Sequence, residues 1–186
     1  VVDEVVEQGM SGVRATVTVE EKQHDHHGRH LSTILKLIEG STLPEPVKFQ
    51  ASEVFRRIGE AEAAIHGVDI EKIHFHEVGA MDSIVDIVGT AIGFDLLGIE
   101  QLVCSPIPTG RGQIKIDHGI CTVPAPGTAE LLKGIPLVDV PIEAELTTPT
   151  GAAIVKSLVD RFAPLPDMTL DAIGYGAGTR EFPSRA

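Results

Sequence analysis

The chain contains few of the residue types that define several common classes of protein. Trp is absent, there is one Tyr, and aromatic residues make up 4% of the 186 residues. Proteins that bind single-stranded nucleic acid stack the bases on aromatic side chains, so this composition argues against that class. The formal net charge of -12 points the same way, because an acidic surface repels phosphate and attracts cations. We therefore expect no nucleic-acid partner.

Cysteine and long apolar segments are also scarce. Cys104 and Cys121 are the only cysteines, too few for the disulfide framework of a small secreted domain. No run of 18 apolar residues occurs, and no basic-then-apolar leader opens the chain, so we expect neither a membrane span nor export. These absences predict a cytoplasmic protein.

The length and the apolar content suit one ordinary domain. Hydrophobic residues make up 42% of the chain, enough for one core and not clearly enough for two. The sequence begins at Val1 rather than at Met and ends soon after a glycine-rich stretch, which suggests a piece of a longer polypeptide. We expect residues 1–186 to form a single domain within a longer protein.

Hydrophobic periodicity predicts alternating helices and strands. The clearest helix is amphipathic and runs from Pro44 to Gly67, with apolar residues at steps of three and four. We expect a left-handed stop at Gly40 for the helix before it, and a mostly buried helix up to Gly98 after it. The alternation predicts an α/β or α+β layered domain. The predicted helices cover residues 31–38, 44–67, 82–97, 128–132 and 150–162, and the predicted strands or extended segments cover 13–19, 73–79, 101–105, 112–116 and 137–143.

Four of the eight histidines lie in a polar segment, residues 20–30, that we expect to be a mobile loop. Neutral imidazole is the commonest nitrogen ligand of nickel, copper and zinc, and a flexible loop lets several rings converge on one ion. A solvated polar loop without a ligand is the alternative. The candidate metal ligands are His24, His26, His27 and His30.

A second histidine group precedes the third predicted helix. His74 and His76 would share one side of an extended segment, since side chains alternate along a strand, and could bind one metal. The alternative is one buried and one surface histidine. Glu77 is a candidate ligand or base.

Two carboxylates then occupy one helix face. Asp82 and Asp86 are four residues apart, and the stripe continues through Gly89 and Gly93, which would leave room for a charged ligand. Alternatively, Asp82 favours the helix start and the glycines admit a neighbouring helix. Asp86 lies beyond the first turn, where capping does not explain it.

Two segments could bind a phosphate group. The first offers hydroxyls and backbone amides at a predicted helix start, and the second offers a pliant glycine-rich backbone beside a guanidinium. Ordinary turn and capping roles are the alternative for both. The candidate residues are Thr148, Thr150 and Gly151 in the first segment, and Gly174, Gly176, Gly178 and Arg180 in the second.

Four ordered segments together resemble the nickel-insertion proteins of the lactate racemase maturation system. The resemblance runs from about Gly12 to the end of the chain, and the first of the four strings is the most specific. They are HFHEVGAMDSIVD at 74–86, VPAPGT at 123–128, TPTGA at 148–152 and GYGAG at 174–178.

The resemblance implies a nickel chelatase that inserts nickel into pyridinium-3,5-bisthiocarboxylic acid mononucleotide to make the nickel-pincer nucleotide. It implies that CTP is hydrolysed with Mg or Mn at a site in a carboxy-terminal domain outside this chain, so the fragment alone can be inactive. Lactate racemase or another nickel-pincer enzyme would be a partner, and the protein could form a homo-oligomer. Glu77, Asp82 and Asp86 would be the catalytic carboxylates.

Two other functions fit the same residues. A non-catalytic module could store nickel or deliver it to an enzyme, and its nickel binding would depend on residues 24–30. A metal-dependent hydrolase could activate a water molecule with His74, His76 and the carboxylates.

Overall fold

A computed structural model describes residues 1–7, 9–18, 29–75, 81–116 and 119–180. The chain divides into two compact units, of which the first combines Val1–Lys22 with Pro166–Ala186 and the second comprises Gln23–Leu165. The two ends of the chain share a unit because their backbones are hydrogen-bonded to each other. The single domain expected for residues 1–186 stays a prediction.

The first unit is built on a β-hairpin. Strands β1 (Val2–Glu7) and β2 (Met10–Ala15) pair antiparallel across a turn in which Gly9 has a φ of 84°. The strand expected at 13–19 therefore begins three residues earlier and ends at Ala15. The glycine-rich segment lies alongside it, because the Val13 amide donates to the Tyr175 carbonyl at 2.9 Å.

The second unit contains all the described helices, and the longest of them is central. Helix α2 contacts each of the other four helices and buries Val47, Val54 and Ile58 on the face that the sequence predicted. Ile65, expected on that face, is exposed near the end of α2. None of the described helices is long and apolar enough to cross a membrane. The helices are α1 (Leu31–Glu39), α2 (Glu45–His66), α3 (Met81–Leu96), α4 (Pro126–Leu131) and α5 (Pro149–Leu158).

Two of the three expected glycine stops are left-handed. Gly67 and Gly98 follow α2 and α3 with φ values of 64° and 62°. Gly40 after α1 has a φ of -75°, so the expected left-handed stop there is wrong. The reason is that Ser41 completes this end, donating from its hydroxyl to the Ile38 carbonyl at 2.6 Å, so that no left-handed turn is needed.

Helix α3 is less buried than the sequence suggested. Its apolar residues are spread around the axis, and only Ser83, Ile84, Ile87 and Ala91 are buried, while Leu96 is 79% exposed. Helix α5 also ends earlier than expected, at Leu158. The Asp160 carboxylate accepts a hydrogen bond from the Leu102 amide at 2.8 Å and directs the following residues into a strand.

The described part of the second unit also contains four short strand pairs. The mixture of helices and strands confirms the expected α/β or α+β class. Residues 137–143, expected to form one strand, contribute only two residues to strand pairing. The pairs are antiparallel β3 (Arg29–His30) with β4 (His74–Phe75), parallel β5 (Val103–Cys104) with β10 (Arg161–Phe162), parallel β6 (Ile107–Pro108) with β9 (Leu137–Val138), and antiparallel β7 (Gln113–Ile116) with β8 (Gly119–Thr122).

Candidate functional site

The structure brings the two histidine-containing segments together through one pair of residues. In the antiparallel pairing of β3 with β4, His30 lies directly opposite His74. The two ring centroids are 3.8 Å apart, and the ring planes are tilted by 47°. The sequence left open whether its two histidine groups meet in space, and these two members do.

Burial on either side of His74 explains its orientation. Ile73 and Phe75 are both buried in the core of the second unit, and Phe75 is only 2% exposed. Because side chains alternate along an extended segment, His74 between them points outward and is exposed. His30 is also extended, at the N-cap of α1, and Leu31 after it is buried. Both rings are thus held at the surface by buried neighbours.

The structure describes only some of the metal ligands that the sequence proposed. His24, His26, His27, His76 and Glu77 lie outside the described residues. His30, expected in the loop 20–30, is instead the last residue of strand β3. Among the residues that the structure describes, no group of three or more His, Cys, Asp or Glu side chains could hold a metal ion. The described site is therefore a pair of rings.

Asp82 and Asp86 lie on one exposed face of α3, as their spacing predicted. The Asp82 carboxylate accepts a hydrogen bond from the Ser83 amide at 2.7 Å. Partial burial raises the pKa of Asp86, and the negative charge of Asp82 raises it further. The residue as a whole is exposed. Within the described chain the two carboxylates do not join the histidine pair in one cluster.

The two glycines on the same face have open space in front of them. A Cβ atom added at Gly89 or at Gly93 would meet no atom within 4 Å in the described part of the chain. The alternative in which these glycines admit a neighbouring helix therefore has no support from the described residues. This face of α3 is accessible to a ligand.

The first phosphate candidate has a structural role. Thr148 is the N-cap of α5, and its hydroxyl oxygen accepts a hydrogen bond from the Gly151 amide at 3.3 Å. Thr147 donates from its hydroxyl to the Pro108 carbonyl at 2.6 Å. Thr150 is the second residue of α5 and is partly exposed. Two of the three candidates thus already take part in a helix cap.

The second phosphate candidate is part of a paired backbone. Gly176 forms a parallel bridge with Val13, and the Ala177 amide donates to the Val13 carbonyl at 2.9 Å. The Arg14 guanidinium donates to the Gly178 carbonyl at 2.7 Å. Gly174, Gly176 and Gly178 have no positive φ. The segment that contains the glycines is therefore an extended partner of β2, and Arg180 follows it.

Cysteine chemistry contributes little to this site. Cys104 and Cys121 are both free thiols. Burial raises the pKa of the Cys104 thiol, which disfavours the thiolate form that binds metals. The nitrogen and oxygen ligands are thus the better candidates among the described residues.

Comparison with known proteins identifies the family. The family model described as nickel insertion protein matches residues 1–186. No solved structure matches the chain.

Curated relatives named pyridinium-3,5-bisthiocarboxylic acid mononucleotide nickel insertion protein are about half identical to this chain. The protein from Staphylococcus epidermidis strain RP62A is 53% identical over 177 residues, covering 95% of this chain and 44% of that protein. The protein from Geobacillus kaustophilus is 49% identical over 188 residues, covering 97% of this chain and 46% of that protein. The protein from Desulfitobacterium hafniense strain DCB-2 is 51% identical over 177 residues, covering 95% of this chain and 43% of that protein.

The chain therefore spans a little under half the length of these relatives. It belongs to the nickel insertion protein family.

Proposed function

We propose that this chain is the nickel-handling part of a protein that inserts nickel into pyridinium-3,5-bisthiocarboxylic acid mononucleotide. The curated relatives are named for that substrate. The observation that carries the proposal is the facing pair His30 and His74, which presents two imidazole rings from separate strands at the protein surface. Nickel is here the cargo of the reaction.

The covalent chain keeps further histidines near this pair. His76 is two residues from His74, so their Cα atoms are at most about 7 Å apart. His27 is three residues from His30, so their Cα atoms are at most about 11 Å apart. Imidazole nitrogen suits Ni²⁺ and forms ligand sets that can exchange. We propose that these rings, with His24 and His26, capture the ion.

The carboxylates would act in the transfer of the captured ion. Asp82 and Asp86 form an exposed, negatively charged face beside two glycines, so a cation and a planar ligand can approach it. We propose that these carboxylates and Glu77 hold the ion weakly while the sulfur atoms of the substrate replace the imidazole nitrogens. Ligands that bind weakly are needed, because the ion has to leave the protein.

The phosphate of the mononucleotide would bind at one of two places in this proposal. The first is the start of α5, where Thr150 and Gly151 follow the capping residue Thr148. The second is the segment that contains Gly174, Gly176 and Gly178, where Arg180 supplies a positive charge. Replacing Arg180 with Gln should weaken substrate binding in the second case and leave it unchanged in the first.

Complete turnover would need the rest of the protein. This chain spans 44% of the Staphylococcus epidermidis relative. We propose that CTP, with Mg or Mn, acts in the part of the protein outside this chain, and that lactate racemase or a similar enzyme receives the finished cofactor. The cytoplasmic location and a homo-oligomer stay predictions.

Calorimetric titration of Ni²⁺ into the 186-residue chain tests the metal site. Replacing His30 and His74 together with Ala should weaken nickel binding at least tenfold. His66 is the matched control, because it lies in the last turn of α2 and forms a 3.4 Å contact with Glu62. His66→Ala should bind nickel like the unchanged chain.

Three results would count against the proposal in different ways. If His30→Ala with His74→Ala binds nickel unchanged, the facing pair is not the site. If replacing His24, His26 and His27 removes binding while His30→Ala with His74→Ala does not weaken it, the nickel site lies in residues 24–27. If no variant and no unchanged chain binds nickel, the metal-handling function fails for this chain.

A further inference from the structure

A pocket of about 350 Å³ lies between helices α2 and α5 in the second unit. Its volume falls in the range of small-molecule sites, roughly 300–1,000 Å³. Four of the α2 residues at its wall recur at steps of three and four, so they form one stripe of that helix. The pocket is lined by Pro46, Phe49, Gln50, Glu53 and Arg57 from α2 and by Lys156, Ser157 and Leu158 from the end of α5.

This pocket is separate from the histidine pair. Leu31, the residue after His30, packs against Gly59 of α2. At 3.6 residues per turn, Gly59 lies about 200° around the helix from Arg57 and about 240° from Glu53. The first residue of α1 and the pocket therefore occupy different sides of α2, and the pocket belongs to no site described above.

Two polar atoms of the pocket wall lack partners. Gln50 Oε1 and Ser157 Oγ are buried, and neither has a hydrogen-bond partner among the residues that the structure describes. A buried polar atom without a partner is costly, and most such atoms in folded proteins are paired. A ligand in the pocket would pair these atoms if the last torsion of each side chain rotates towards it. These side chains are thus able to bind a hydrogen-bonding ligand.

The rim of the pocket carries two cations. Lys156 donates one hydrogen bond to the Lys133 carbonyl at 2.5 Å, which leaves further N–H groups on its ammonium. Arg57 forms a 3.1 Å ion pair with Glu60, which engages only part of its guanidinium. The carboxylate of Glu53, also in the wall, is paired with Arg56 at 2.5 Å. Arg57 and Glu53 are both in ion pairs, so within the described part of the chain the charge at the rim that no carboxylate compensates is that of Lys156.

The remaining wall is apolar and includes an aromatic ring. Phe49 is 66% exposed although it is a large hydrophobic residue, and Leu158 and Pro46 complete this side. A flat ring could lie against Phe49 in an offset or edge-on arrangement. One ligand therefore meets a ring contact, a positive charge and two unpaired hydrogen-bonding groups.

We propose that this pocket binds a small aromatic acid that carries a hydroxyl group. Its carboxylate lies between Lys156 and Arg57, its ring lies against Phe49, and its hydroxyl bonds to Gln50 or Ser157. The site is independent of the nickel site, and its occupancy does not rest on the proposed function.

The test uses 4-hydroxybenzoate as the probe in an ¹⁵N NMR titration of the 186-residue chain. Benzoate lacks the hydroxyl and phenol lacks the carboxylate, so each control removes one interaction. Benzoate should bind about fivefold more weakly than 4-hydroxybenzoate, and phenol about tenfold more weakly, because hydrogen bonds to charged groups contribute more than neutral ones. Shifted amide signals should lie on α2 and α5.

Paired variants then assign each contact. Lys156→Gln should remove the preference for 4-hydroxybenzoate over phenol, and Gln50→Leu with Ser157→Ala should remove the preference over benzoate. Lys36→Gln, an exposed lysine on α1, is the matched control and should change neither preference. An absence of binding by the unchanged chain, signals that shift only outside α2 and α5, or preferences that survive in the pocket variants would each overturn the assignment. None of these results depends on nickel binding.

Discussion

Replacing Thr148 with Ala separates a helix cap from a phosphate ligand. Thr148 precedes α5 with an extended backbone, and its hydroxyl oxygen accepts the Gly151 amide at 3.3 Å. Without that oxygen, one of the first amides of the helix loses its partner. Loss of an N-cap typically costs about 1 kcal/mol, within a range of about 0.5–2. The bond here is longer than average, so we expect a loss of about 0.5–1 kcal/mol in the free energy of unfolding.

The effect should reach the core, because α5 packs against the central helix. Ala152 and Ala153, in the first turns of α5, are fully buried, and α2 contacts this helix. A frayed first turn would therefore loosen buried contacts as well as the cap itself. The loss should appear in the unfolding of the second unit rather than as a local change only.

Urea denaturation followed by far-ultraviolet circular dichroism measures the loss. Thr148→Ser keeps the capping oxygen and should stay within about 0.5 kcal/mol of the unchanged chain. Thr150→Ala, two residues on, tests a hydroxyl with no capping role and should also stay within about 0.5 kcal/mol. Unchanged stability of Thr148→Ala, or an equal loss in Thr150→Ala, would refute the capping role. Inorganic phosphate that stabilises the unchanged chain but not Thr148→Ala would favour the ligand role instead.

Four further substitutions test other parts of the second unit by urea denaturation. Gly110→Ala should cost more than about 3 kcal/mol, because Gly110 has a φ of 78° and the new Cβ would overlap a backbone carbonyl; a near-neutral result would contradict the backbone geometry. The pKa of Asp86 is higher in the folded chain than in the unfolded chain. Ionisation of Asp86 therefore lowers the free energy of unfolding as the pH rises from the unfolded pKa through the folded pKa. Asp86→Asn should therefore stabilise the chain above that window by about 0.3 kcal/mol, the usual size of a like-charge pair such as Asp82 with Asp86; a gain that persists at lower pH would contradict this. Phe75→Ala should cost about 3–5 kcal/mol, whereas Phe49→Ala should stay within about 0.5; equal effects would contradict the assigned burial.

Local patterns predicted the long elements well. The apolar spacing of α2 and the glycines at its end and at the end of α3 were sufficient, because both signals depend on neighbouring residues alone. Gly40 has the same sequence signal as Gly67, yet the Ser41 hydroxyl completes that helix end. A glycine therefore predicts where a helix ends more securely than it predicts the conformation of the end.

Some short strands could not be predicted from the sequence, for a physical reason. β9 (Leu137–Val138) pairs over two residues, and its partner β6 lies about 30 residues earlier in the chain. A pair of this length has no periodicity of its own and forms only because the helices bring the two segments together. β1 was missed as well, since its valines do not alternate strictly with polar residues and the strand is exposed on most of its length.

Part of the candidate site could be predicted from local sequence patterns, and part of it could not. The shared face of Asp82 and Asp86 follows from helix geometry and was predicted. The contact of His30 with His74 joins residues 44 positions apart, and nothing in either segment encodes the register of their strands. The Thr148 segment shows a further limit, because hydroxyls and amides at a helix start have the same sequence signal whether they cap the helix or bind an anion.

The number of ligands in the proposed nickel site bears directly on how that site would release the ion. A structural metal site surrounds the ion with four protein ligands and holds it, whereas a site that exchanges ligands keeps positions open. The described pair supplies two nitrogens, and Ni²⁺ in a square-planar arrangement accepts four donors. Open positions would let the sulfur atoms of the substrate bind before the imidazoles leave, so the ion need never be free in solution. Adding one more fixed ligand on the face of the pair should therefore tighten nickel binding while slowing transfer of nickel to a chelator. Faster transfer from the tighter site would contradict this order of ligand exchange.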